Sequence, residues 1–105
     1  MKDIRIDVGV STVLSINLEG VDFTGIEKVI LTVKNFPAFK SEVIIEREFT
    51  EAKVHDIIIK PEESIKLTDS AVYDFNKVLI DGTRLKMTDN GKVVLRKSVG
   101  DCIAD

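Results

Sequence analysis

Residues 27–34 read Glu-Lys-Val-Ile-Leu-Thr-Val-Lys, and this stretch decides the fold class. Val29, Leu31 and Val33 recur at every second position, which is the spacing of side chains on one face of a β-strand. The positions between them are lysine or threonine, except at Ile30, where an apolar residue interrupts the polar face. The stretch therefore predicts a strand with one face toward a core.

The same alternation recurs along most of the chain. Further strands are predicted at residues 3–8, 13–18, 42–49, 54–60, 71–80, 84–88 and 92–99. The 13 Val and 13 Ile residues, against 7 Leu and 4 Ala, favour strands because β-branched side chains pack well on a pleated sheet. Helical signals are confined to one short turn near residues 61–66, where Pro61 precedes two glutamates. The sequence predicts an all-β, antiparallel sandwich or barrel of about seven to eight strands.

The length and charge of the chain limit the classes of protein to which it can belong. Its 105 residues fit one domain, predicted as residues 1–100 with a frayed tail at residues 101–105. A formal net charge of -3 disfavours nucleic acid as a partner, and no apolar run reaches the roughly 18 residues of a membrane span. The single Cys102 excludes an internal disulfide, and the charged start of the chain is unlike a signal peptide. We expect a cytoplasmic protein.

No constellation of residues predicts catalysis. His55 is the only histidine, and the sequence places no second metal ligand of the His or Cys type beside it. Cys102 lies near the end of the chain without a neighbouring base. Asp81-Gly82 and Asn90-Gly91 occur where hairpin turns are expected and lack the spaced ligands of a calcium loop. We predict no catalytic, cofactor-binding or metal-binding residue, and no enzyme activity.

Apolar side chains at positions that should be polar or exposed form the predicted interaction surface. They are Ile30, Phe36, Phe39, Val43, Ile44 and Ile45. A strand that is apolar on both faces is either central in the fold or covered by another subunit, and both explanations stay open for residues 43–45.

Tyr73 occupies a position that distinguishes one class of sandwich. It follows a short turn and begins a strand, two residues before the position that holds the second cysteine of antibody domains. We predict a tyrosine corner, in which the Tyr73 hydroxyl binds the backbone upstream, within residues 66–70. The alternative is a core aromatic residue with its hydroxyl at the rim. A corner favours an immunoglobulin-like β-sandwich.

Five motifs in order extend this prediction over nearly the whole chain. They are Val-Asp-Phe-Thr-Gly at 21–25, Lys-Val-Ile-Leu-Thr-Val-Lys at 28–34, Ile-Lys-Pro-Glu-Glu-Ser at 59–64, Tyr-Asp-Phe at 73–75 and Leu-Ile-Asp-Gly-Thr at 79–83. In this order and spacing they resemble the small immunoglobulin-like domain of phage and prophage tail proteins of the upper-baseplate type.

The resemblance implies a non-catalytic structural module that assembles with copies of itself or with other tail proteins. It implies a virion location once assembled, and it carries over no catalytic residue. The alternative is a ligand-binding or adhesion sandwich that uses the loop from Phe36 to Phe39 as an apolar contact.

Overall fold

A computed structural model of the chain describes residues 3–35, 42–87 and 91–97. These residues form eight strands and one helical turn. They are β1 (Ile4–Val8), β2 (Thr12–Asn17), β3 (Ile26–Lys34), β4 (Val43–Phe49), β5 (Val54–Ile59), α1 (Pro61–Ser64), β6 (Val72–Leu79), β7 (Arg84–Lys86) and β8 (Gly91–Lys97). The predicted all-β class and the single helical turn are confirmed. The predicted tail at residues 101–105 lies outside the described residues.

The strands form two sheets. The larger has six strands in the order β1-β8-β6-β3-β4, and β7 also pairs with β6. Residues 72–73 of β6 pair with β8, and residues 76–78 pair with β7, so β7 and β8 follow one another along the same edge of β6. The smaller sheet consists of β2 and β5.

One pair departs from the expected antiparallel arrangement. β1 runs parallel to β8, with Ile4 opposite Val93 and Val8 opposite Lys97, whereas the other pairs are antiparallel. The larger sheet is therefore mixed, and the expectation is wrong for this pair. Strands joined by a tight turn run antiparallel, but β1 and β8 are separated by most of the chain, so no turn sets their relative direction.

One hydrophobic core includes residues from both sheets. Val29, Leu31 and Val33 of β3 belong to it, as predicted, together with Ile16 of β2 and Ile59 of β5. Burial of each such side chain contributes about 1.5–3 kcal/mol. The core therefore holds the smaller sheet against the larger one.

The second face of β3 is buried as well. Ile30 is 3% exposed and Thr32 is 4% exposed, so the face that the sequence predicts to be polar is buried at both positions. β3 is flanked on both edges, and the register places Ile30 between Glu48 of β4 and Asn76 of β6. Longer side chains on the flanking strands can shield short ones on a central strand.

The Asp81-Gly82 hairpin is confirmed between β6 and β7. The Leu79 N–H donates to the Thr83 carbonyl at 2.8 Å, and Gly82 has φ of 92°, a conformation that glycine adopts without strain. Asp81 Oδ1 accepts a hydrogen bond from the Thr83 N–H at 2.8 Å, and this bond lowers the pKa of Asp81. The carboxylate of Asp81 therefore stabilises the turn. Asn90, in the second predicted turn, lies outside the described residues.

Gly91 lies against the ring of Tyr73, its partner across the β6–β8 pair. A methyl group at Gly91 would overlap this buried ring. We expect Gly91→Ala to lower the free energy of unfolding by about 1–3 kcal/mol, measured by urea titration. Gly20→Ala is the matched control, because a methyl group there meets nothing within 4 Å. Equal losses at the two glycines would contradict this packing.

The Thr32 hydroxyl is buried and has no hydrogen-bond partner among the described residues. We expect Thr32→Val to raise the free energy of unfolding by about 1 kcal/mol, because it removes an unsatisfied polar atom. In Thr12, the Oγ1 atom accepts a hydrogen bond from the Asp7 N–H at 2.9 Å and donates to its carbonyl at 3.3 Å. Thr12→Val should therefore lower the same quantity. Chemical unfolding of the two variants measures the change in the free energy of unfolding for each. A decrease for Thr32→Val would refute the conclusion that the Thr32 hydroxyl is unsatisfied.

Candidate functional site

The residues of the predicted interaction surface do not form one exposed patch. Ile30 and Ile45 are 3% and 1% exposed, so both are buried within the chain itself. Phe36 and Phe39 lie outside the described residues. Val43 is exposed and Ile44 is half-buried. Of the described positions in this set, Val43 offers the most accessible surface.

A β-bulge explains the three consecutive apolar residues of β4. Val33 of β3 pairs with Ile45, and the next residue, Lys34, pairs with Val43, so Ile44 has no residue opposite it. An extra residue in one strand turns the side chains on either side of it out of strict alternation. Ile45 therefore packs in the core while Val43 remains exposed.

Tyr73 is a buried ring in the core. It is 4% exposed and meets Phe75 edge-on, with ring centroids 5.9 Å apart and an interplanar angle of 85°. Burial raises the pKa of the Tyr73 hydroxyl, and the negative charge of Asp3 adds to the effect. The hydrogen bond of a tyrosine corner to residues 66–70 stays a prediction.

His55 has structural contacts. Its Nε2 lies 2.8 Å from the carbonyl oxygen of Glu51, and its ring centroid lies 4.8 Å from that of Phe49. In the described part of the chain, no three His, Cys, Asp or Glu side chains are grouped closely enough to hold a metal ion. Cys102 lies outside that part.

The β2–β5 ladder shows which backbone groups of the smaller sheet lack partners within it. The Leu18 N–H donates to the Lys53 carbonyl at 3.0 Å, just beyond the paired residues Asn17 and Val54. Hydrogen-bonded and non-hydrogen-bonded pairs alternate in an antiparallel ladder. The non-hydrogen-bonded residues of β2 are therefore Val13, Ser15 and Asn17. Their N–H and C=O groups point away from β5.

The outward face of this sheet carries an exposed apolar pair. Val13 and Ile58 are directly opposite one another and are 63% and 56% exposed. Val54, near the end of the same face, is also exposed. Between them, the Ser15 hydroxyl donates to Asp56 Oδ1 at 2.7 Å. This face combines apolar side chains with one polar cross-strand pair.

The outer edge of β5 is partly covered by a side chain from the larger sheet. Arg47 of β4 donates through Nη2 to the Ile58 carbonyl at 3.2 Å and to Glu63 Oε1 at 2.7 Å. Glu63 Oε1 also accepts the Lys60 N–H at 3.0 Å. Arg47 therefore provides a hydrogen-bond donor for one of the β5 carbonyl groups that point away from β2.

The outer edge of β2 is the candidate functional site. Among the described residues, β2 pairs only with β5, and it has no charged side chain. Every other strand with an unpaired edge in the described part carries charges, namely Arg5 and Asp7 in β1, Glu46, Arg47 and Glu48 in β4, Asp56 in β5, and Arg84 and Lys86 in β7. Charges on edge strands hinder the addition of another strand. The β2 edge lacks this protection.

Sequence reasoning missed the β2 edge. Residues 13–18 are predicted as an ordinary strand, and this prediction is confirmed: Ile16 and Leu18 are buried and Leu14 is half-buried. The available signal was Val13, an apolar residue on the face shared by Ser15 and Asn17, in a strand without charge. Which strands form sheet edges depends on the topology, which the pattern of side chains does not specify.

Comparison with protein-family models and with curated proteins finds no match to this chain. In the part that the structure describes, no helix is long and apolar enough to cross a membrane.

The Arg47–Glu63 ion pair makes stability depend on pH. Burial raises the pKa of Glu63, but the hydrogen bonds from Arg47 and the Lys60 N–H outweigh it and hold the pKa below its ordinary 4.5. Because the pKa of Glu63 is lower in the folded chain than in the unfolded chain, the ion pair stabilises the fold fully at pH values above the unfolded pKa. This stabilisation is lost as the pH falls through the folded pKa.

We therefore expect Glu63→Gln to lower the free energy of unfolding by on the order of 1 kcal/mol at neutral pH. The difference from the wild type should shrink as the pH falls below 4.5. Urea unfolding at a series of pH values measures it, with Glu62→Gln, an exposed neighbour in the same turn, as the control. A loss that does not change with pH would contradict the role of the charge.

Proposed function

We propose that this chain is an immunoglobulin-like β-sandwich that serves as a non-catalytic structural module of a prophage tail or baseplate. It assembles through contacts with copies of itself or with other tail proteins, and it uses no cofactor, nucleic acid or membrane. It is cytoplasmic when expressed from the prophage and part of the virion once assembled.

The pairing of the strands supports the immunoglobulin-like assignment. In such domains the second strand pairs with the strand that precedes the tyrosine-bearing one, and the third, tyrosine-bearing and last strands share the other sheet. Here β2 pairs with β5, while β3, β6 and the β7–β8 segment share the larger sheet. Tyr73 lies near the start of β6 and is buried, as the tyrosine of a corner is.

The positions of the motifs also support the assignment. Residues 21–25 form a turn before β3, in which Asp22 Oδ1 accepts the Thr24 N–H at 2.9 Å. Pro61 opens α1, which precedes β6, and residues 79–83 join β6 to β7. The resemblance to tail proteins depends on this order of turns and strands.

The observation that carries an assembly role is the bare outer edge of β2. Its outward N–H and C=O groups have no protein partner in the described part of the chain, and the strand has no charge that would hinder pairing. Beside this edge, Val13 and Ile58 expose apolar surface. A module whose role is contact with other proteins needs surface of this kind.

Induction of the prophage in a strain that carries the gene tests the proposal. We expect peptides of this chain to co-purify with the particles at a constant ratio to the major tail protein, as measured by quantitative mass spectrometry. A stop codon early in the gene should leave particles with missing or unstable tails, and expression of the gene from a plasmid should restore them.

Restoration of the tails by the plasmid copy is the control for effects of the stop codon on neighbouring genes, and a strain with a synonymous substitution at the same codon is the control for the change in DNA sequence. Particles with normal tails and full infectivity from the stop-codon strain, together with absence of the chain from wild-type particles, would refute the proposed function.

A further inference from the structure

The outward groups of β2 can pair with themselves. Val13, Ser15 and Asn17 present N–H and C=O groups on the outer edge, as the β2–β5 ladder shows. In two antiparallel strands related by a twofold axis, each residue of one strand lies opposite one residue of the other. The two residue numbers of every such pair add up to the same total. With Ser15 at the axis, Ser15 meets Ser15 of the second copy, and Val13 meets Asn17 at each end. Every outward residue of β2 is then in a hydrogen-bonded pair.

The same register matches the apolar faces. On the inward side it places Leu14 opposite Ile16 of the second copy, and these residues border the core of each chain. On the solvent-exposed face it places Val13 opposite Asn17 of the second copy. The exposed pair of Ile58 and Val13 is then continued across the interface by Asn17 and Val54 of the second copy. If the register shifted by one residue, side chains on the core face of one strand would lie opposite side chains on the exposed face of the other. The apolar faces of the two copies therefore match only if the register differs from this one by an even number of residues.

The charges favour a second copy at the β2 edge over the β4 edge. Each chain carries a formal net charge of -3, so two copies repel each other at long range. The β2 strand itself has no charged residue, whereas β4 would bring Glu46 and Glu48 of both copies together. Like charges on neighbouring strands oppose pairing.

We propose that the chain forms a twofold-symmetric dimer in which the β2 strands of two copies pair antiparallel about Ser15. The two small sheets then become one four-stranded sheet in the order β5-β2-β2-β5. The inference deepens the proposed function, since it names the surface and the partner through which the module assembles.

Proline at position 15 tests the dimer directly. The Ser15 N–H faces the outer edge, so Ser15→Pro removes no hydrogen bond to β5, and proline is tolerated at such edge positions. In the dimer it removes both N–H donors of the central pair and adds ring atoms between the strands. We expect the dissociation constant of the dimer to rise about a hundredfold or more.

Asp56→Pro is the matched control. Asp56 pairs with Ser15 across the small sheet, so both substitutions break the same Ser15–Asp56 hydrogen bond, and the Asp56 N–H also points away from the ladder. Asp56 lies on the far edge of the proposed four-stranded sheet. Sedimentation velocity over a range of concentrations should therefore show a dimer for the wild type and Asp56→Pro, and a monomer for Ser15→Pro.

Charged substitutions at position 15 provide a second test of the dimer if either proline variant does not fold. Ser15 is exposed, and Ser15→Lys and Ser15→Asp each place like charges opposite one another at the twofold axis. Both variants also carry Asp56→Asn, because Asp56 lies opposite Ser15 within the chain and would otherwise interact with the new charge. We expect each variant alone to dissociate more readily than the wild type, and an equal mixture of the two to form heterodimers. Circular dichroism and urea unfolding of each variant confirm that the chain remains folded.

Two results would overturn the inference. If folded Ser15→Pro remains a dimer, the chain self-associates through another surface, and the proposed assembly role stands. If the wild type stays monomeric at high concentration, the second copy is the wrong occupant. Analysis of induced particles then decides the proposed function separately, and binding of another tail protein that Ser15→Pro abolishes would assign the edge to that protein.

Discussion

Strand β3 is paired along both edges and buried on both faces, and the rest of the larger sheet depends on this position. β4 pairs with one of its edges and β6 with the other. β6 in turn pairs with β7 and β8, and β8 pairs with β1. Val29, Leu31 and Val33 provide the apolar face on which the smaller sheet packs. A fault in the register of β3 would therefore displace the strands on both sides.

The sequence predicts the strands well because alternation is a local property. The inward residues of β2 and β3 and the hairpin at Asp81-Gly82 follow from patterns a few residues long. Burial of Thr32, the bulge at Ile44 and the parallel direction of β1 do not follow. Each of these depends on a strand that is distant in sequence, and a single sequence does not reveal that neighbour.

The short α1 turn fastens the two sheets to one another at one end. Glu63 binds Arg47 of β4, and the Ser64 hydroxyl accepts the Gly9 N–H at 3.0 Å, in the turn after β1. Ser64 also donates to the Pro61 carbonyl at 3.1 Å, so this buried hydroxyl is fully used. These contacts attach β5 to both outer strands of the larger sheet. They leave the β2 edge without a comparable cover in the described part of the chain.

The parallel pairing of β1 with β8 has a mechanical consequence. Tension applied to the chain before Ile4 and after Lys97 pulls two strands that run in the same direction toward opposite ends of their shared ladder. The load then acts along the strands, in shear, and falls on all five paired positions at once. A hairpin pulled open from its free ends, by contrast, loses its hydrogen bonds one after another. The ladder between β1 and β8 therefore resists extension of the chain in this direction more strongly than a hairpin of the same length would.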